Sequence, residues 1–319
     1  MASIIKNLLS RLSRKKSSLK FIYSDSYWMF DMEEHIFPLD KYRLLYEQLI
    51  RMGVKKADLL SPEPAQDEDI VRVHTSKYLK KLTAGTLSTG EILTLELPFS
   101  DKVMEFARLS AGGSIKAALT SLDCGLSVHI GGGFHHAFAD HGEGFCVIND
   151  IAIALEKLKS EDLINKAMIV DCDVHQGNGT AKIFEKKPYI YTFSIHQMDI
   201  YPSQKVKSSR DVGLWSGDGD EPYISALETH IPQIFEDFLP DIVCYVAGAD
   251  PLSKDRLGGL DLTFSGLEKR DRIIIEEARR RSIPVFIVLA GGYAADIADT
   301  VKVHMNTIRT ALKISRKFY

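Results

Sequence analysis

Six short apolar runs, separated by segments of helical period, constrain what this chain can fold into. The runs are Phe21–Tyr23, Leu126–Ile130, Ala167–Val170, Tyr189–Ile195, Ile242–Ala247 and Val285–Leu289. Between them, segments at roughly 101–120, 150–159, 222–238, 264–281 and 296–316 repeat apolar residues at helical spacing. A strand that is apolar throughout must be covered on both faces. Interleaved helices supply that cover, so the pattern predicts an α/β chain with a parallel sheet. Asn149 or Asp150 is placed to cap the helix that opens Ile151-Ala152-Ile153-Ala154-Leu155. The spacing is even, and no linker, repeat or low-complexity tract follows residue 20. We therefore expect one domain over residues 21–319.

Composition narrows the class. The 319 residues are 45% hydrophobic and 26% charged, ordinary values for a soluble globular protein. No apolar run approaches the roughly 20 residues that span a bilayer, so no transmembrane segment is expected. The four cysteines, Cys124, Cys146, Cys172 and Cys244, form no CxxC pair and read as reduced, buried thiols of a cytoplasmic compartment. A net charge of −3 gives no ground for direct nucleic-acid binding. That charge is uneven. Residues 1–20 carry Lys6, Arg11, Arg14, Lys15, Lys16 and Lys20 and no acid, with Ile4, Ile5, Leu8, Leu9 and Leu12 at helical spacing. A basic N-terminal arm, an organellar targeting segment and a membrane-surface helix all fit this segment.

The unusual residues fall where the apolar runs stop. Gly131-Gly132-Gly133-Phe134-His135-His136 follows the second run, Asp171-Cys172-Asp173-Val174-His175 the third, Gly248-Ala249-Asp250 the fifth and Ala290-Gly291-Gly292-Tyr293 the sixth. Ligands of open α/β sheets bind beyond the carboxyl ends of the strands. Alternation along an extended strand would set Asp171, Asp173 and His175 on one face. A single aspartate after a strand is usually a helix cap, and paired histidines are often one buried and one solvated. Two carboxylates and an imidazole in alternate positions have no use in a hydrophobic core, and a divalent metal does. Neither phosphate-loop pattern is present around the glycines, and Asp218-Gly219-Asp220 lacks the other ligands of a calcium loop and reads as a turn.

Two carboxylates and one imidazole leave a metal with open positions for water and substrate. Such a metal would activate a water and polarise a carbonyl. A histidine beside it can take a proton and later return it to a leaving amine, and a phenol can stabilise an oxyanion. These are the parts of a metal-assisted amide hydrolase.

The blocks Gly132-Gly133-Phe134-His135-His136-Ala137, Gly144-Phe145-Cys146-Val147-Ile148-Asn149-Asp150, Asp171-Cys172-Asp173-Val174-His175-Gln176-Gly177-Asn178-Gly179, Ala247-Gly248-Ala249-Asp250-Pro251, Asp255-Arg256-Leu257-Gly258-Gly259 and Gly291-Gly292-Tyr293 resemble, in order, the signature blocks of zinc-dependent histone deacetylases. The short chain and His35-Ile36-Phe37-Pro38 look most like the class IV branch and its bacterial relatives. The resemblance implies the arginase/deacetylase fold, with about eight parallel strands sandwiched by helices. It implies one zinc ion on Asp173, His175 and Asp250, with iron(II) admitted by the oxygen-rich ligation. His136 would be the general base and acid, and His135, paired to Asp171, the electrostatic partner. Tyr293 would polarise the acyl carbonyl, and Gly144 and Phe145 would line the substrate channel. A potassium ion would sit on Asp171, Asp173, His175, Ser194 and Ile195. Asn178 stands behind His136 where class I relatives carry aspartate.

The implied activity is removal of an acetyl or longer fatty acyl group from a lysine side chain of a protein or peptide. The alternatives are a deacetylase of acetylpolyamines or other small amines, and a non-catalytic protein that binds acyl-lysine. A binuclear arginase-type centre is disfavoured, because Asp250-Pro251-Leu252 lacks the extra carboxylate it would need.

Overall fold

The computed structural model describes residues 19–29 and 35–318. The proposed targeting or membrane-surface helix of the basic arm lies outside the described residues, apart from Leu19 and Lys20. Lys20 opens the first strand, where its ammonium pairs with Asp58 at 2.6 Å.

Eight strands form one sheet. In chain order they are β1 Lys20–Ile22, β2 Leu59–Leu60, β3 Leu126–His129, β4 Ala167–Asp171, β5 Ile190–Gln197, β6 Arg210–Leu214, β7 Ile242–Val246 and β8 Val285–Val288. Their order across the sheet is β2-β1-β3-β8-β7-β4-β5-β6, and every pairing is parallel. Each of the six apolar runs is a strand. The two strands that the apolar pattern does not reveal are the edges. β2 has two residues, and β6 reads Arg-Asp-Val-Gly-Leu and is largely exposed, as suits a strand whose outer side must not recruit another chain.

Ten α-helices lie among the described residues. They are α1 Asp40–Arg51, α2 Asp67–Ile70, α3 Ser76–Ala84, α4 Thr89–Leu95, α5 Asp101–Cys124, α6 Asp150–Ser160, α7 Asn178–Phe184, α8 Asp220–Phe238, α9 Phe264–Arg280 and α10 Ile297–Lys317. α5 packs on α6 and α6 on α7, while α8, α9, α10 and α1 pack in succession, and β8 touches α5 and α9. β3, β4, β7 and β8 are buried at every residue, which is why their sequences are mainly apolar, with Ser127, His129 and Asp171 as the polar exceptions. Asn149 caps α6 by accepting from the Ala152 amide at 3.0 Å. Asp150, the other candidate cap, turns inward and accepts from the Gly133 and Phe134 amides at 3.0 and 2.7 Å. It thereby fixes the loop that delivers His135 and His136.

Among the described residues no helix is long and apolar enough to cross a membrane. All four cysteines are free and buried.

Candidate active site

The four loops that carry the unusual residues leave β3, β8, β7 and β4, which are adjacent in the sheet. Because the strands are parallel, all four loops emerge on one rim and close around a cavity of about 230 Å³. His135, His136, Gly144, Phe145, Asp173, His175 and Tyr293 line it. Phe37, Glu96, Tyr201 and Leu257 line it too, from loops whose sequences carry no metal or acid–base pattern.

The Asp/Asp/His set converges, but by a different route from strand alternation. β4 ends at Asp171, so Asp173 and His175 lie in the turn beyond it. There the Asp173 amide donates to Asp171 Oδ1 and the His175 amide to Asp173 Oδ1, each at 3.1 Å. These short carboxylate–backbone turns aim the two side chains. Asp171 itself points away, to His135 Nδ1 at 2.8 Å. Asp250, from the β7 loop, accepts from the Val174 amide at 2.9 Å through Oδ1.

One ligand atom each from Asp173, His175 and Asp250 lies within 4.8 Å of the others, all buried. His175 Nδ1 is 3.1 Å from Asp173 Oδ1 and 3.5 Å from Asp250 Oδ2. Asp250 Oδ2 is buried without a hydrogen-bond partner, an expensive state for a carboxylate oxygen unless a cation meets it. Gly291 has no room for a side chain, since a Cβ there would lie 2.1 Å from Asp250 Oδ2 and 2.6 Å from Asp173 Oδ2. A metal would resolve the crowded charge, so the residues fit the divalent ion that the sequence implies.

Electrostatics separates the two tandem histidines. Burial would depress His135, but the charges of Asp171 and Asp173 outweigh it and push the imidazole up to about 9. His136 goes the other way, held well below its ordinary value by burial and then by the neighbouring His135 and His175. Its Nδ1 meets Asn178 Oδ1 at 2.7 Å. Two like residues in different surroundings can thus take an electrostatic and an acid–base role.

Tyr293 sits on the β8 loop with its amide donating to Asp255 Oδ2 at 2.6 Å, and Asp255 Oδ1 accepts from the Leu257 and Gly258 amides at 2.9 and 3.2 Å. The Asp255-Arg256-Leu257-Gly258-Gly259 block thus anchors the tyrosine turn. The same turn reaches the Asp/His cluster, because the Gly291 amide donates to Asp173 Oδ2 at 3.0 Å. Phe145, at φ 67°, packs edge-on against Tyr293 with centroids 6.1 Å apart. Tyr201 stands edge-on to His136 with centroids 4.9 Å apart. Of the other residues proposed for potassium, Ser194 is in register with Asp171 across β4 and β5, with Ile195 next along the strand. The Ser194 hydroxyl is 2.9 Å from His196 Nδ1.

Sequence reasoning missed Lys41, a fully buried lysine on α1. Its ammonium donates to the Ala290 carbonyl at 2.7 Å and lies 5.9 Å from the centre of the Tyr293 ring. Burial, partly offset by Asp250, Asp173 and Asp255, brings it down to about 8. Nothing in α1 but a charge on its apolar face marks it.

Residues 35–308 match the model of the histone deacetylase domain. An uncharacterized protein of Picosynechococcus is 38% identical over 280 residues, covering 88% of this chain and 93% of its own. Histone deacetylase 2 of Arabidopsis thaliana is 30% identical over 305 residues, 90% of this chain and 78% of its own. A histone deacetylase-like amidohydrolase of Pseudomonas aeruginosa is 28% identical over 258 residues, 75% of this chain and 67% of its own. The crystal structure of the HDA15 HD domain superposes with a TM-score of 0.77 over 93% of this chain and 89% of that one, at 23% identity, and so shares the fold.

Proposed function

This chain belongs to the histone deacetylase family, and on that ground we propose that it is a metal-dependent amide hydrolase that removes an acyl group, acetyl or longer, from the side-chain amine of lysine. The observation that carries the reading is the meeting, at one cavity, of a buried Asp-His-Asp cluster, two histidines with different partners, Asp171 and Asn178, and a tyrosine.

Asp173, His175 and Asp250 would hold the ion, zinc on this reading, with iron(II) as the alternative. When bound it supplies a Lewis acid that polarises the acyl carbonyl and acidifies water. His136, with its Nδ1 turned to Asn178, keeps Nε2 to accept a proton from the attacking water and return it to the departing amine. His135 stays charged against Asp171 and stabilises developing negative charge. The Tyr293 hydroxyl donates to the oxyanion. Phe145 and Gly144, opposite Tyr201, line a passage for the alkyl stem. The register of Asp171 with Ser194 supports a potassium ion on Asp171, Asp173, His175, Ser194 and Ile195. Long acyl groups, as the class IV likeness implies, belong to the same proposal.

A small acetylated polyamine is the alternative substrate, and Glu96 favours it, since a carboxylate lining the cavity can pair with a second ammonium. A panel of acetyl- to myristoyl-lysine peptides and acetylpolyamines, compared by kcat/KM, tests the choice. We expect lysine peptides to lead. Far better turnover of polyamines would replace the carrier.

A further inference from the structure

We propose that Glu143 is a positioning residue for the hydrolytic base, acting through Asn178. The inference deepens the hydrolase reading above and rests on it.

The side-chain amide of Asn178 has two nearly isosteric orientations, and they have opposite consequences. With Oδ1 toward His136, the ring must donate from Nδ1, leaving Nε2 as the acceptor that the chemistry needs. With Nδ2 toward His136, Nδ1 must accept, the ring proton moves to Nε2, and the base is lost. Two contacts select the productive orientation. The Gly179 amide donates to Asn178 Oδ1 at 3.0 Å. Asn178 Nδ2 donates to Glu143 Oε1 at 2.7 Å, and an ionised carboxylate can only accept.

Glu143 is built into the site. Its amide donates to the Cys146 carbonyl at 3.1 Å and its carbonyl accepts from the Cys146 amide at 2.9 Å, closing the tight turn that presents Gly144 and Phe145 to the cavity. Glu143 Oε1 also accepts from the Tyr201 hydroxyl at 2.7 Å, and the Tyr201 ring stands edge-on to His136. Glu143 Oε2 lies 3.6 Å from His141 Nε2. One carboxylate therefore holds both the partner of the base and the ring that packs against it. No part of the deacetylase resemblance assigned it a role.

The test uses metal-loaded enzyme and compares wild type with Glu143→Ala and Glu143→Gln. Nitrogen-15 spectra of labelled histidine, with the His136 signals identified by their loss in His136→Ala, report which ring nitrogen carries the proton. Wild type should show the proton on Nδ1. Glu143→Ala should show both tautomers and lose roughly tenfold in kcat, with KM and metal content within twofold. Glu143→Gln keeps an acceptor at Oε1, so it should keep one tautomer and most of the kcat. A wild-type proton on Nε2 would overturn the proposal whatever the variants do. So would Glu143→Ala with a single Nδ1 tautomer and unchanged kcat, or Glu143→Gln as impaired as Glu143→Ala. The tautomer is read without turnover, so an inert protein would count against the hydrolase reading and not against this one.

Discussion

His136 Nδ1 lies 2.7 Å from Asn178 Oδ1, so the histidine assigned as base is backed by a neutral amide. A carboxylate at 178 would favour the imidazolium and raise the pKa of His136. In this chain, however, it would also face Glu143, whose Oε1 is 2.7 Å from the present amide nitrogen. Two carboxylates at that distance share a proton. Asn178→Asp with Glu143→Gln should therefore move the acid limb of the kcat/KM profile upward by about one pH unit, and Asn178→Asp alone by less. Paired pH profiles in one buffer set decide it. Equal shifts would mean that the two side chains do not interact.

The Asp173–His175–Asp250 cluster should bind one divalent ion per chain. Without an ion, burial and the Asp173 charge push Asp250 up to about 7. Burial would lower His175, but Asp173 and Asp250 outweigh it and raise it to about 10. Loading a metal must displace these protons, so affinity should weaken as pH falls from 8 to 6. Asp250→Ala should empty the site. Elemental analysis that finds two divalent ions per chain, or one that persists in Asp250→Ala, would contradict this.

Tyr293→Phe keeps the ring against Phe145 and the backbone bond to Asp255. It removes only the hydroxyl. We expect kcat to fall by roughly 10²–10³ with metal content unchanged. A near-normal kcat would leave Tyr293 with a packing role alone.

Stability should fall in mild acid through buried neutral histidines. Burial lowers His74 to about 4 and His129 to about 3, and His129 is hydrogen-bonded on both sides, to Tyr27 and Ser114. Their unfolded values are near 6.5, so the unfolded chain binds the extra protons. The contribution of these residues is complete above pH 6.5 and is lost as pH drops toward the folded values, at about 1.4 kcal/mol per unit for each. Urea midpoints measured from pH 7 to 5 should decline more steeply in wild type than in His129→Gln. Parallel declines would show that His129 does not titrate as burial requires.

The core of the sheet and the Asp/His cluster were legible because each imposes a pattern on neighbouring residues. A strand buried on both faces must be mainly apolar, and any polar side chain in it must find a partner, as His129 and Asp171 do in β3 and β4. A cation needs ligand types that a core refuses, so Asp173 and His175 stood out, whereas Asp250, a lone aspartate after a strand, was assigned only through the family resemblance. The edge strands were illegible, since β6 is exposed and its pairing is made by backbone that leaves no side-chain signature. Lys41 and Glu143 were missed for a similar reason. Each acts on a partner far away in sequence, Lys41 on Ala290 and Glu143 on Tyr201, and no local spacing encodes such a contact. Asp171 was read onto one face with Asp173 and His175, yet it ends β4 turned to His135, because the turn after it, and not strand alternation, sets the direction of Asp173 and His175.

Metal-dependent deacylation itself is tested by hydrolysis of a fluorogenic acyl-lysine peptide by the purified protein, before and after chelation and after zinc is restored. We expect turnover that chelation abolishes and one equivalent of zinc recovers. Turnover indifferent to removal of the metal, or none at all with the metal bound, would contradict the hydrolase reading.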